Sequence, residues 1–231
     1  MKIKVCEWDS LFFNKKIGEV EFENINQSSS GLNEFDLIYS KQQEEAIFVI
    51  DDFEHTYTET KVIFSKNIEN SKNLVNSAIA SALNTDINID HIYKLAFESG
   101  KFSRFKLDEK FSQDEFEKLY KIWIDNSLAK KIADDVLIYK ERDTVLGFIT
   151  YKISDNYATI GLLATDPKMQ GKGIGTILLK AAEERLTNVM INELRIPTQL
   201  QNKSACSFYT KLGYTIKEKI IIKHYWKNDP I

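Results

Sequence analysis

Tyr157-Ala158-Thr159-Ile160-Gly161-Leu162-Leu163-Ala164 runs directly into Thr165-Asp166-Pro167-Lys168-Met169, and then into Gln170-Gly171-Lys172-Gly173-Ile174-Gly175-Thr176. The first eight residues read as a strand, and the last stretch opens an apolar helix over residues 174–186. Glycines at alternate positions let the backbone approach a ligand closely and aim successive N–H groups one way. The helix that follows adds its unpaired N-terminal N–H groups and the positive end of its dipole. Together they make an anion pocket suited to a pyrophosphate. Lys172 either adds charge there or points to solvent. No Gly-Lys-Ser/Thr stands where a P-loop needs it, and the glycine spacing fits a dinucleotide fingerprint poorly. A plain strand-to-helix turn does not need three alternate glycines, so phosphate binding is the better reading.

Outward from this loop the pattern is regular. Asp114 to Leu128 carries Phe116, Leu119, Tyr120, Trp123 and Ile124 on one helical face. Val136 to Lys140 and Val145 to Ile153 read as strands joined by the turn Glu141-Arg142-Asp143-Thr144. Glu193 to Pro197 is a further strand, Asn202 to Leu212 a helix and Ile216 to Trp226 a closing strand. The order of helix, three strands, loop, helix, strand, helix, strand describes an α+β layered domain on a mixed sheet. Residues 1–97 are less regular. Val20, Phe22 and the run Ala46-Ile47-Phe48-Val49-Ile50 read as short strands, and Tyr57 to Phe64 as a longer one. Gln27-Ser28-Ser29-Ser30-Gly31 is a loop signal, Asn70 to Leu83 has helical spacing, and Asn84 to Asp90 is a polar connection.

Composition excludes several classes. The chain has 231 residues, 43% hydrophobic and 28% charged, with a formal net charge of -3. A nucleic-acid binder would need a basic excess. No apolar run approaches the ~20 residues that span a bilayer. The start, Met1 to Trp8, has no apolar leader region, so secretion is not indicated and a cytoplasmic location is expected. Cys6 and Cys206 stand far apart and read as reduced packing thiols. With histidines only at 55, 91 and 224, no cluster has metal-ligand spacing, and no metal is expected.

The glycine segment resembles the GNAT superfamily of N-acetyltransferases. Gln170-Gly171-Lys172-Gly173-Ile174-Gly175 matches the signature Arg/Gln-x-x-Gly-x-Gly/Ala, and Thr165-Asp166-Pro167 matches the end of the approach strand. Asn202-Lys203-Ser204-Ala205-Cys206-Ser207-Phe208-Tyr209-Thr210-Lys211-Leu212-Gly213-Tyr214 matches a second motif, Asn-x-x-Ala-x-x-x-Tyr-x-x-x-Gly-Phe/Tyr. The resemblance implies a mostly antiparallel mixed sheet with two splayed central strands. It implies acetyl-CoA as co-substrate. The backbone of Leu163, Ala164 and Thr165 would pair with pantetheine. The amides from Gly171 to Thr176, Ile174 included, would hold the pyrophosphate beside Gln170. Asn202 would bond the pantetheine arm, cap the following helix, or do both. Tyr209 would protonate the departing thiolate as general acid; its alternative is a core aromatic beside Phe208.

A narrower resemblance, to bacterial dTDP-fucosamine (dTDP-4-amino-4,6-dideoxy-galactose) acetyltransferases, rests on four segments. They are Trp8-Asp9-Ser10-Leu11-Phe12-Phe13-Asn14, Tyr57 to Phe64, Phe102-Ser103-Arg104-Phe105 and His224-Tyr225-Trp226. It implies residues 1–97 as a truncated acyltransferase-like unit walling the substrate side, and residues 98–231 as the catalytic unit. It also implies a nucleotide-sugar acceptor and a surface-polysaccharide role. Glu59 would take the amine proton, or else be an exposed strand carboxylate. Arg104 would grip a diphosphate oxygen, or be a surface arginine. Phe105 would stack on sugar or base, or pack in the core, and His224 would bind substrate or be structural. Acetylation of a protein, polyamine or antibiotic amine is the second reading, and a non-catalytic acetyl-CoA-binding module the third. A homodimer is left open.

Overall fold

A computed structural model of the chain describes residues 3–21, 32–43, 49–69 and 77–228. Among the described residues, ten strands form one sheet in the order β1-β2-β3-β10-β4-β9-β8-β7-β6-β5. They are β1 (Ile3–Val5), β2 (Ile17–Glu21), β3 (Leu37–Gln42), β4 (Phe53–Asn67), β5 (Ile79–Ser81), β6 (Asp135–Glu141), β7 (Thr144–Ile153), β8 (Ala158–Thr165), β9 (Glu193–Gln199) and β10 (Thr215–Lys227). Neighbours are antiparallel except β2 with β3 and β8 with β9. The mixed, mostly antiparallel α+β layered sheet matches the expectation.

Helices cover both faces. On one lie α1 (Glu7–Phe13), α2 (Ile89–Ser99), α3 (Arg104–Leu107) and α4 (Gln113–Leu128), over a core that includes Ile92, Phe116, Ile124, Ile138 and Phe148. On the other, α5 (Ile174–Asn188) and α6 (Lys203–Lys211) bury Leu178, Leu179, Ala182 and Tyr209 against Leu137, Ile149, Leu194 and Ile196. Alternation along β6 sends Leu137 to one core and Ile138 to the other, so the strand is apolar on both sides. The start of α4 is fixed by a capping box. Ser112 Oγ accepts the Glu115 N–H, and the Glu115 carboxylate accepts the Ser112 N–H.

Residues from both ends of the chain share this sheet. Strand β10 lies between β3 and β4 and pairs with each along most of its length. The boundary expected between residues 97 and 98 falls inside α2, which packs on β7 and β8. The helix expected from Asn70 to Leu83 is corrected where the residues are described: Ile79–Ser81 is an edge strand paired with β6, followed by a single 3-10 turn. Val49 and Ile50 lie outside any strand. Phe22, the loop at residues 27–31 and the run 46–48 lie outside the described residues.

Candidate active site

Strands β8 and β9 pair only at Ala158 with Leu194 and at Thr159 with Arg195. Beyond that point β8 bends away. The cause is a register slip against β7 between Ile149 and Tyr151, at Thr150. Thr150 Oγ1 accepts the Leu162 N–H at 2.9 Å, replacing a ladder carbonyl. A Cβ on Gly161 would lie 2.8 Å from that oxygen, so the bend requires glycine there. The Asp166 N–H donates to Leu146 O at 2.8 Å, which fixes the alternation on the far side of the slip. Ala164 therefore bonds β7, while the N–H groups of Leu163 and Thr165 face the gap. Of the three backbone segments expected to meet pantetheine, those two remain free to do so.

The gap widens into a cavity of about 640 Å³. Its floor is the glycine loop. Gly171 (φ +77°) and Gly173 (φ +85°) are left-handed, and a Cβ added at either would meet nothing within 4 Å. A Cβ at either position would enter open space. Gly173 caps α5 through its carbonyl, which accepts the Ile177 N–H at 3.0 Å. The amides of Ile174, Gly175 and Thr176 thus have no intrahelical partner and line the cavity with Gln170. Gly175 is close-packed instead: its Cβ would lie 3.4 Å from the Phe208 ring. Lys172 is exposed, which is the second of its two readings. Its N–H donates to Met169 O at 3.3 Å, its ammonium rests on Met169 Sδ, and it does not line the cavity. The unpaired amides at the start of α5 lend this end of the cavity a positive potential.

Asn202 and Tyr209 line the same cavity from α6. Asn202 Oδ1 accepts the Ala205 N–H at 3.1 Å and caps α6, so the cap reading holds. Its amide nitrogen is the half that the cap does not use. Tyr209 is 6% exposed, with its ring 5.6 Å from Phe64 and 5.3 Å from Phe208. Its ring packs in the core, as the packing reading has it, and it also lines the cavity. Burial, then the neighbouring Cys206, pushes its hydroxyl above the ordinary tyrosine range. It therefore stays protonated at working pH, as a proton donor must.

The far wall comprises Glu98, Ser99, Lys101, Phe102 and Tyr120, with Thr198 and Gln199 from β9. Of these, Phe102 belongs to a segment that carries the narrower resemblance, and Tyr120 was read as a helix-face residue; the others were not singled out from sequence. Glu59 lies just behind this wall, 3% exposed on β4. The Gln199 amide and the Arg104 backbone N–H face its carboxylate, and Oε2 has no hydrogen-bond partner among the described residues. Burial pushes its pKa up, and the charges of Arg104 and Lys61 pull it back. The alternative of an exposed strand carboxylate is thereby corrected.

Arg104, Phe105 and His224 stand outside the cavity lining. Phe105 is 6% exposed and packs on Phe13, Phe111 and Trp123, so it is a core residue and not a stacking platform for substrate. The Arg104 guanidinium lies 4.4 Å over the Tyr39 ring and 4.8 Å over the Phe105 ring. His224 is fully buried, opposite Tyr39 on β3 and Tyr57 on β4. Its Nδ1 meets Asp108 Oδ2 at 2.6 Å, and the Trp226 indole donates to the same oxygen at 2.9 Å. Burial raises Asp108, but these bonds outweigh it and hold the carboxyl below its usual range. Burial lowers His224 to about 4 despite Asp108. The imidazole is neutral at pH 7, Nδ1–H donates to Asp108, and Nε2 is left as an acceptor without a partner among the described residues.

This pair should set acid stability. The unfolded imidazole titrates at 6.5 and the folded one near 4. Between those values the unfolded chain binds more protons, so stability is complete above pH 6.5 and falls as pH drops toward 4. The gap corresponds to roughly 3 kcal/mol. In thermal melts from pH 7 to pH 4, the wild-type midpoint should drop steeply. His224→Gln should start lower at pH 7 and show a flatter slope. Parallel slopes would disconnect His224 from acid sensitivity.

Among the described residues no group of His, Cys, Asp and Glu could hold a metal ion, and no helix is long and apolar enough to cross a membrane.

A family model described as the acetyltransferase (GNAT) family matches residues 89–214, more than half of the chain. The chain is similar to spore coat polysaccharide biosynthesis protein SpsD of Bacillus subtilis. The two are 27% identical over 135 residues, covering 58% of this chain and 46% of that protein. It is also similar to spermidine N(1)-acetyltransferase of Thermoplasma acidophilum, 36% identical over 75 residues, covering 32% and 47%. The chain thus spans about half the length of these curated relatives. Among solved structures, the fold is shared with a putative GNAT-family acetyltransferase from Novosphingobium aromaticivorans. The TM-score is 0.56 at 10% identity, over 84% of this chain and 75% of that one.

Proposed function

The chain belongs to the acetyltransferase (GNAT) family, and from that premise we propose that it transfers an acetyl group from acetyl-CoA to the amine of a dTDP-linked amino-dideoxy sugar. The observation that carries the transferase reading is the gap between β8 and β9, which leads from the glycine loop to Tyr209 and the wall before Glu59. The cradle fits a pyrophosphate, because a Cβ at Gly171 or Gly173 would enter only the space a ligand needs. Acetyl-CoA supplies an acyl thioester, activated toward an amine.

The residues divide the work as follows. The amides of Ile174, Gly175 and Thr176 hold the pyrophosphate, and Asn202 holds the arm. The Leu163 N–H, turned into the gap, donates to the acyl oxygen as negative charge grows there. Glu59, behind Gln199, takes the proton that the ammonium loses, through a bridging water. Burial raises its pKa, which makes it a stronger base than an ordinary carboxylate. Tyr209 donates its proton to the departing sulfur and is refilled from solvent. Direct attack by the amine requires no covalent enzyme intermediate.

The sugar acceptor is supported by the likeness to SpsD, named for spore coat polysaccharide biosynthesis. The likeness to a spermidine acetyltransferase supports a second reading, a polyamine acceptor. Tyr209 on the cavity wall favours either over a non-catalytic module. The test is mass spectrometry of products from acetyl-CoA with amino-sugar nucleotides, polyamines and peptide N-termini. A mass gain of one acetyl group on a dTDP-linked or UDP-linked amino sugar is expected. Acetylation of spermidine or a peptide alone would overturn the sugar assignment and leave the transferase intact.

A further inference from the structure

We infer that Tyr120 determines acceptor specificity: its hydroxyl, seated on the turn that closes α2, hydrogen-bonds an uncharged oxygen of the acceptor. This contact rests on the proposed sugar acceptor. Helix α2 ends at Ser99, and Gly100 follows with φ −86° and ψ −3°, a conformation open to any residue. The backbone does not require glycine there, and glycine costs folding entropy. The side chain lying over it does require glycine. A Cβ at residue 100 would lie 2.4 Å from Tyr120 Cζ and 2.7 Å from the hydroxyl oxygen. Only the bare Cα of glycine lets the phenol end of Tyr120 rest on the turn.

The rest of the ring is fixed by packing. It lies 4.7 Å from the Phe116 ring and 4.8 Å from the Trp123 ring, in the core beneath α2 and α4. Phenylalanine would serve that packing as well. A buried hydroxyl needs a polar partner to offset its desolvation. The turn brings up one other hydroxyl. The Ser103 N–H donates to Gly100 O at 2.8 Å, and the Ser103 hydroxyl faces that of Tyr120. Yet Ser103 Oγ, in a residue 7% exposed, has no partner at hydrogen-bond geometry among the described residues. The pair of hydroxyls therefore keeps unused hydrogen-bonding capacity, and Tyr120 is the member on the cavity wall.

The position suits an acceptor. The gap between β8 and β9 joins the two faces of the sheet. Tyr209 lines it from the α5 and α6 side, where the glycine loop opens α5, and Tyr120 lines it from the α2 and α4 side. An amine that approaches the thioester from the side opposite the coenzyme passes Tyr120. Glu98 and Lys101 are the only charged side chains on the cavity wall among the described residues, and they lie 3.7 Å apart. With those charges facing each other, the uncharged phenol is left to read the acceptor. An amino sugar offers hydroxyl and ring oxygens beside its amine, whereas a polyamine offers nitrogen alone.

The experiment uses protein saturated with coenzyme A and labelled with 3-fluorotyrosine, in which Tyr120→Phe identifies the Tyr120 resonance. The probes are dTDP-4-amino-4,6-dideoxygalactose, dTDP and spermidine. The amino-sugar nucleotide should move the Tyr120 fluorine resonance, and dTDP and spermidine should leave it in place. In turnover, Tyr120→Phe should lower kcat/KM for the amino-sugar nucleotide by about ten- to a hundredfold, with the Kd for acetyl-CoA unchanged. Gly100→Ala should cost as much on its own and add little to Tyr120→Leu, whose shorter side chain clears the new methyl group. If the wild type acetylates no nucleotide sugar, the acceptor reading fails and the resonance decides the contact by itself. A resonance unmoved by the amino-sugar nucleotide, or wild-type kcat/KM in Tyr120→Phe, would overturn the inference.

Discussion

Tyr209→Phe should lower kcat by roughly ten- to ten-thousand-fold while leaving the affinity for acetyl-CoA within a few-fold of wild type. The reasoning starts from where the ring sits. It is packed among Phe64, Phe208 and Tyr214, all of which would hold phenylalanine as well as tyrosine. The substitution therefore removes one hydroxyl and almost no volume, and the fold should survive it. What is lost is a donor on the cavity wall. A coenzyme thiol, near ~8.5, leaves as an anion that needs a proton, and an ordinary tyrosine near ~10 can share one. Burial raises Tyr209 further, so it does not ionise across the working range. The wild-type pH profile should accordingly have no basic limb below about pH 10 that disappears in the mutant. Steady-state kinetics paired with calorimetric titration of acetyl-CoA would decide. Wild-type turnover in the mutant would return Tyr209 to packing alone.

The half of the chain around the glycine loop was legible because its periods are simple. Strands β6 to β9 and helices α4 to α6 follow the sequence within a residue or two. The first half was harder for physical reasons. Strand β3, Leu-Ile-Tyr-Ser-Lys-Gln, is buried on both faces, so it lacks the alternation that marks a half-exposed strand. Ile79-Ala80-Ser81 is three residues long and is fixed by pairing with β6, which no local pattern reveals. Helix α2 was legible in principle: Asn88 caps it, and Ile92, Leu95 and Ala96 lie on one face. The expected division at residue 97 ignored that helix. It also could not foresee β10 passing between β3 and β4, a contact across more than 150 residues of sequence.

The site divides along the same line. The glycine loop, Asn202 and Tyr209 line one cavity, and each was legible because it is part of a contiguous motif whose spacing reflects local geometry. The opposite wall is assembled from α2, α4 and β9, with Glu59 of β4 behind it, so residues far apart in sequence were placed with the wrong neighbours. Phe105 proved to be core, and Arg104 proved to be stacked inside. Asp108 was missed altogether, although it determines which nitrogen of His224 carries the proton. Thr150 and Gly161, which open the gap, carry no sequence signal beyond a glycine within a strand.

Gly173→Asp should abolish measurable binding of acetyl-CoA, raising its Kd by at least about a hundredfold, which is roughly 2.7 kcal/mol. Two costs must be separated. The first is backbone strain, because φ is +85° and a side chain there costs about 1–2 kcal/mol of folding stability. Asparagine tolerates this conformation best after glycine, so Gly173→Asn carries the strain and the added bulk without the charge. The second cost falls on the ligand. A Cβ at residue 173 meets no protein atom within 4 Å, so nothing in the apo protein resists it. It occupies the cradle itself, next to the unpaired amides of Ile174, Gly175 and Thr176. Aspartate adds a negative charge where the α5 dipole should be holding a pyrophosphate. Gly173→Asn should thus melt within several degrees of wild type and bind more weakly, and Gly173→Asp should melt like the asparagine variant yet bind far more weakly still. Calorimetric titration of all three proteins with acetyl-CoA tests the ordering. Equal affinity in the asparagine and aspartate variants would mean that the anion lies elsewhere, and wild-type affinity in both would remove the glycine loop from the site.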